Sequence, residues 1–229
     1  MLARRFVNMQ NYNPVQVKTF NDPLFLVDPN DKIIGQKDKK TAHLNSWIFS
    51  KEGIPHRAFS VFLFNPAGEL LLQQRSATKV TFPLYWTNSC CSHPLVETSA
   101  EGTRNEAISR TEFELGIKVN VAENSGKTVG KVLYRAKYDE IWGEYELDYL
   151  YFFKLNQSQV NFLPNKDEVG EHKWLALKDV KKFVNETKLI TPWFKRINEQ
   201  TNFTTWWASY IENNLQEADP STIIHLKGE

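Results

Sequence analysis

Arg110-Thr111-Glu112-Phe113-Glu114-Leu115-Gly116-Ile117 closes a helical stretch, and its reading decides how the rest of the chain is arranged. Between residues 98 and 115, Ala107, Ile108, Thr111 and Leu115 recur at helical spacing with charge on the other faces, and Gly116 supplies the stop. On both sides of this helix the pattern changes to that of strands. Upstream, 24–28 reads as a strand, Pro29-Asn30-Asp31 as a turn and 32–35 as the hairpin partner. Residues 57–64 are largely apolar, as a buried strand requires, and Asn65-Pro66-Ala67-Gly68 turns into a further strand over 69–75. Downstream, 132–138, 144–154 and 173–177 read as strands and 179–187 as a helix. A last helix runs from Pro192 towards Asn213. With no repeat, linker or composition break, the chain is expected to form one α/β (α+β) domain: a mixed sheet flanked by helices over 23–229, after an N-terminal tail or lid segment at 1–22.

Composition excludes several classes of function. The 229 residues carry 28 basic and 27 acidic side chains, so no global field favours nucleic acid or an anionic membrane. No apolar run approaches the roughly 18 residues that span a bilayer. Any basic patch must be local and serve a small target. The two cysteines are adjacent, which cannot give the spaced bridges of small secreted domains. A reducing compartment, with the cytoplasm as default, is the expectation.

Those cysteines lie in Trp86-Thr87-Asn88-Ser89-Cys90-Cys91-Ser92-His93-Pro94, beside a histidine. A thiol can transfer a proton or attack carbon, and a neutral imidazole can hold a metal. His43 and His56 precede this motif, and Glu144, Glu146 and Asp148 alternate along one strand face. Taken singly, each histidine is more often structural than a ligand. Taken with Glu144 and Glu146, the three imidazoles make a mixed N/O set suited to Mg²⁺ or Mn²⁺, or to Zn²⁺ with expanded coordination. Lys37, Lys39, Lys40, Arg75 and Lys79 form a basic cluster that, beside such a set, suits a phosphate or diphosphate.

The stretch that ends at Gly116 resembles the end of the Nudix box, with Phe113 in place of one of its paired glutamates. With Ala42-His43-Leu44, His56-Arg57-Ala58-Phe59-Ser60, Leu72-Gln73-Gln74-Arg75, the Thr87–Pro94 motif, Tyr134-Arg135-Ala136, Trp142-Gly143-Glu144-Tyr145-Glu146 and Thr191-Pro192-Trp193-Phe194, the chain resembles the type I isopentenyl-diphosphate isomerases over roughly residues 24–200. These are Nudix-fold enzymes that have lost hydrolase activity.

The resemblance implies that His43, His56, His93, Glu144 and Glu146 bind one divalent metal and that Cys91, not Cys90, is catalytic. It implies a second ion, Mg²⁺ bridging the substrate diphosphate, held by Glu114 and the Cys91 carbonyl. Lys39, Arg75, Lys79, Arg110 and Ser92 match substrate-binding positions. Cys91 and Glu144 would exchange protons with opposite faces of the isoprenoid chain, with Tyr134 hydrogen-bonded to Glu144 and Trp193 facing the carbocation. The implied reaction is the reversible conversion of isopentenyl diphosphate to dimethylallyl diphosphate by a monomer, with no nucleic-acid or membrane partner. The rival readings are a Nudix hydrolase of a nucleoside diphosphate derivative, a metal-free cysteine hydrolase and a non-catalytic binding module.

Overall fold

All nine residues of His56–Phe64 are buried, which only a strand covered on both faces achieves. The computed structural model, which describes residues 12–96, 98–124 and 126–228, places this strand at the centre of a mixed sheet. In chain order the strands are β1 (Pro23–Val27), β2 (Ile33–Asp38), β3 (His56–Phe64), β4 (Leu70–Arg75), β5 (Trp86–Thr87), β6 (Cys90–Ser92), β7 (Lys127–Lys137), β8 (Gly143–Lys154), β9 (Val169–Leu175) and β10 (Ile223–His225). The helices are α1 (Pro14–Lys18), α2 (Lys39–Ala42), α3 (Asn45–Ile48), α4 (Ala100–Leu115), α5 (Val180–Glu186), α6 (Pro192–Gln200) and α7 (Phe203–Ile211).

β3 and β8 run parallel, with His56 opposite Glu146 and Phe64 opposite Lys154. The antiparallel β7 continues the sheet on the far side of β8, and β1 and β2 extend it beyond β3. A second limb leaves the end of β3 through β4, which carries β5 and β9, while β6 folds back antiparallel onto β3. Strand alternation then sends Phe62, Phe64, Leu150 and Phe152 into one core, shared with Phe194 and Trp207 of α6 and α7. It sends Val61, Leu63, Tyr151 and Phe153 into another, shared with Ala107 and Leu115 of α4. Among the described residues no helix is long and apolar enough to cross a membrane.

The expected central helix is α4. Ser99 caps it by accepting from the Gly102 N–H at 2.9 Å, and Gly116 ends it in the left-handed region at φ 70°. Three expectations need correction, the first being the strand expected over 132–138, which is β7 and begins five residues earlier at Lys127. The helix expected over 192–213 is broken between α6 and α7, because the Thr201 hydroxyl donates to the Ile197 carbonyl at 2.6 Å and accepts from the Phe203 N–H at 3.1 Å. The break turns both helices' apolar faces into the same core. The strand expected at 173–177 is β9, which begins four residues earlier and ends before Leu177. Its exposed Gly170, Glu171 and His172 hide the apolar signal of a strand that pairs with β4 on one side. The short β5, β6 and β10 carry no period long enough to read.

Of the segment 1–22 expected as a tail or lid, residues 1–11 lie outside the described ones. Beyond them, α1 and the turn after it bring Phe20 and Tyr12 against Trp142, whose indole N–H donates to the Tyr12 hydroxyl at 2.8 Å.

At Gly116 a Cβ would meet the Leu163 carbonyl oxygen at 3.0 Å in a backbone conformation that L-residues rarely adopt. Gly116→Ala is expected to destabilise the protein by about 1–2 kcal/mol. Urea denaturation checks this through a lowered midpoint at an unchanged slope.

Candidate active site

The pairing of β3 with β8 sets His56 against Glu146, and β7 sets Tyr134 against the same glutamate. β6, hydrogen-bonded to the other side of β3, carries Cys91 and leads directly to His93. His43 follows α2, where its backbone N–H is held by the carbonyls of Lys39 and Lys40. Three separate segments thus bring the three imidazole rings together, with centroids 4.8, 5.2 and 4.9 Å apart. They meet the two carboxylates in one place: Glu144 Oε2 lies 2.9 Å from His43 Nε2, and Glu146 Oε1 lies 2.9 Å from His93 Nε2 and 3.4 Å from His56 Nε2.

This cluster has the marks of a metal centre. One candidate ligand atom from each of the five residues lies within 4.8 Å of all the others. His56 is fully buried, yet neither of its ring nitrogens makes a well-formed hydrogen bond, and Glu144 Oε2, though close to His43 Nε2, is likewise buried without one. Leaving such groups unpaired is costly unless a cation joins them. Burial pushes His56 down and His93 well down, against the pull of Glu146, which keeps both rings in the neutral form that a metal requires. His43 is buried too, but the neighbouring Glu144 outweighs that and raises its pKa. The nitrogen His43 Nδ1 lies 2.7 Å from the Lys39 carbonyl, which can only accept, so Nε2 is the nitrogen left for a ligand. Despite burial, the facing His56 and His93 rings hold Glu146 well below the usual carboxylate range.

His43, His93, Glu144 and Glu146 of the cluster face a cavity that Lys39, Arg75, Lys79, Cys91, Ser92, Arg110 and Trp193 also line. Four of these side chains are cationic. Burial, with the charges of Lys79 and Arg110, lowers Lys39 to about 8. Of the neighbouring lysines, Lys40 also lines the cavity, whereas Lys37 lies 4.4 Å above the Trp47 ring. Arg75 commits Nε and Nη2 to the carbonyls of Thr81 and Phe82, clasping a loop in which Phe82 and Leu84 both adopt positive φ. Phe20, Trp142 and Phe59 provide apolar wall.

The Cys91 thiol is pushed up to about 12, by burial first and the Asp148 charge second, so it rests as a neutral S–H. Cys90 points to the opposite core, fully buried against α4. Tyr134 donates to Glu146, not to Glu144 as expected, because the strand register sets it opposite Glu146 and places Ala136 opposite Glu144. Glu114 is buried beneath Arg110, which donates to it at 2.7 Å, while Gln73 donates to its other oxygen at 3.2 Å. It does not join the His/Glu cluster.

Glu168 and Ser60 had no reading as site residues, and Asp148 was read only as one of the alternating carboxylates of β8. Glu168, on the loop before β9, binds both Lys79 and Arg110, the latter at 3.0 Å, and those cations hold its pKa down despite burial. Asp148 had been visible in the alternating acids of β8 but without a role. It accepts from Ser60 at 2.7 Å, and the Ser60 hydroxyl lies 3.5 Å from the Cys91 sulfur. Glu168 has no signal in sequence, since a loop acid is ordinary until the fold sets two cations against it.

His56→Ala is expected to weaken divalent-metal binding at least about tenfold. Metal analysis of the purified protein and titration with Mn²⁺ or Zn²⁺ check this, and unchanged binding would remove His56 from the set.

A Nudix domain model matches residues 54–194. An isopentenyl-diphosphate Delta-isomerase I of Clarkia breweri is 42% identical over 219 residues, covering 90% of this chain and 75% of that protein. An isopentenyl-diphosphate Delta-isomerase 1 of Mesocricetus auratus is 41% identical over 231 residues, covering 96% of this chain and 98% of that one. Among solved structures, DR0079 from Deinococcus radiodurans shares the fold at a TM-score of 0.56 and 16% identity, over 79% of this chain and 99% of its own. By the domain match and these identities, the chain belongs to the Nudix superfamily and, within it, to the isopentenyl-diphosphate Delta-isomerases.

Proposed function

We propose that this protein interconverts isopentenyl diphosphate and dimethylallyl diphosphate by adding a proton at one carbon and removing another two bonds away. The observation that carries the reading is a single cavity lined together by a neutral thiol, members of a His/Glu metal set, a group of cations and apolar rings. That combination matches a substrate with a charged diphosphate head and an apolar alkene tail. Lys39, Lys79 and Arg110 would grip the diphosphate, with the free end of Arg75 and the Ser92 hydroxyl beside them. Glu168 keeps Lys79 and Arg110 in place until the anion arrives.

An unactivated alkene accepts a proton only from a donor held against it, with water kept away from the cation that follows. Cys91 is such a donor, since its environment keeps the sulfur protonated at neutral pH. The partner on the opposite face is Glu146, and not Glu144 as the sequence suggested, because Glu146 is the carboxylate that Tyr134 reaches. Glu144 is left to pair with His43. Trp193 lines the cavity, and its ring would face the carbocation. Phe20, Thr19 and Gln16 close one side, so the N-terminal segment acts as a lid that excludes water.

His43, His56, His93, Glu144 and Glu146 would hold Mg²⁺, Mn²⁺ or Zn²⁺, and Glu114 with the Cys91 carbonyl would hold a diphosphate-bound Mg²⁺. When bound, such ions supply positive charge that tunes the carboxylates and neutralises the diphosphate. A cytoplasmic monomer completes the proposal, and the two unpaired cysteines suit a reducing compartment. The alternative, hydrolysis of a nucleoside diphosphate derivative, has only a reduced set of carboxylates to work with. Phe113 stands in the box with its ring beneath Arg110, 4.7 Å from centroid to guanidinium.

With isopentenyl diphosphate and Mg²⁺ in D₂O, the protein should move the double bond and incorporate deuterium. Phosphate release without an isomer would overturn the proposal in favour of the hydrolase. Cys91→Ala should lower kcat by at least about 10²-fold while Cys90→Ala retains most activity, as steady-state rates will tell. Lys39 is charged below about 8 and neutral above it. Attraction for the diphosphate should therefore weaken as pH rises through that value, seen as a falling kcat/KM that Lys39→Met no longer shows on top of its higher KM.

A further inference from the structure

Asn88 is fully buried, and the orientation of its amide is set by its own hydrogen bonds. Nδ2 donates to the carbonyls of Val61 at 3.1 Å and Cys90 at 3.0 Å, so Oδ1 must face the other way. Three donors converge on that oxygen: the Thr87 hydroxyl at 3.0 Å, the Cys91 thiol at 3.0 Å and the Trp193 indole N–H at 3.1 Å. Thr191, immediately before α6, donates in turn to Thr87 at 2.9 Å. This is the link between the cysteine motif and the Thr191-Pro192-Trp193-Phe194 motif, which lie about a hundred residues apart in sequence.

An amide oxygen has two lone pairs, so the three donors cannot all be fully satisfied. The indole has this one partner, and losing it would strand a buried N–H. The thiol, the weakest donor, has the Ser60 hydroxyl as a second acceptor at 3.5 Å. The indole is therefore held firmly while the thiol is aimed but remains free to turn its proton into the cavity. Cys91 and Trp193 both line that cavity, and Asn88 does not.

We propose that Asn88 is a positioning residue whose side-chain oxygen fixes the Trp193 indole and the Cys91 thiol relative to one another on the cavity wall. The assignment rests on the isomerase reading for its catalytic consequence but not for its geometry. Positioning errors of about an ångström can cost on the order of 10²-fold in rate. Asn88→Leu, which keeps the volume and removes the acceptor, should lower kcat about 100-fold with KM changed less than about threefold. Combined with Trp193→Phe, which keeps a ring and removes the N–H, its effect should be at least about tenfold smaller than in the wild-type background.

The geometry is read separately, in ¹H–¹⁵N spectra. There the Trp193 indole signal, identified by its loss in Trp193→Phe, should move upfield in Asn88→Leu and exchange with D₂O faster. An unmoved indole signal, a folded Asn88→Leu with wild-type kcat, or fully multiplicative effects would each overturn the proposal. Should Asn88→Leu not fold, Asn88→Asp retains an acceptor and should keep the indole signal near its wild-type position, and a signal displaced upfield would count against the oxygen. A wild-type protein that moves no double bond would retire the isomerase reading, while the indole signal would still decide whether Asn88 holds Trp193.

Discussion

The parallel register of β3 on β8 is the constraint on which the rest of the site depends. It puts His56 opposite Glu146, and the same strand of glutamates receives Tyr134 from the other side through β7. Because side chains alternate, a slip of one residue would send the imidazole and the carboxylates to opposite faces of the sheet. The two cores prevent that slip. Phe62 and Phe64 on one face and Val61 and Leu63 on the other have no acceptable alternative environment. Packing energy spread over the sheet therefore fixes a polar geometry that is itself costly to bury.

The cavity combines groups of opposite charge. Carboxylates and neutral imidazoles make a place for a cation. Burial, and then the charges of Lys79 and Arg110, lower Lys39 to about 8. Glu168 offsets part of this repulsion from behind.

Burial does a different job at each group. It keeps His56 and His93 unprotonated and Cys91 protonated, since in both cases it disfavours the charged form. The same dry environment suits a carbocation that water would quench. Neighbouring polar groups then reverse the tendency where an anion is needed, as His56 and His93 do for Glu146.

Much of this was legible in the chain itself. The helix ending at Gly116 was readable because its stop needs a residue at home at positive φ, β3 because a largely apolar run marks a strand covered on both faces, and β8 because its acids alternate with apolar residues at the strand period. The histidines and glutamates announced a possible metal set through residue type and spacing. What stayed hidden depended on register or on contacts between distant segments. Tyr134 belongs to Glu146 because β7 pairs with β8 in one frame and no other. Glu168 became part of the site only when its loop met Lys79 and Arg110. β9 was misplaced because half its residues face solvent, and the break at Thr201 because a hydroxyl turning back on its own helix leaves the apolar period intact. Local preference and residue chemistry are properties of the sequence. The partner of each polar group is a property of the fold, because the packing of far larger apolar surfaces decides it.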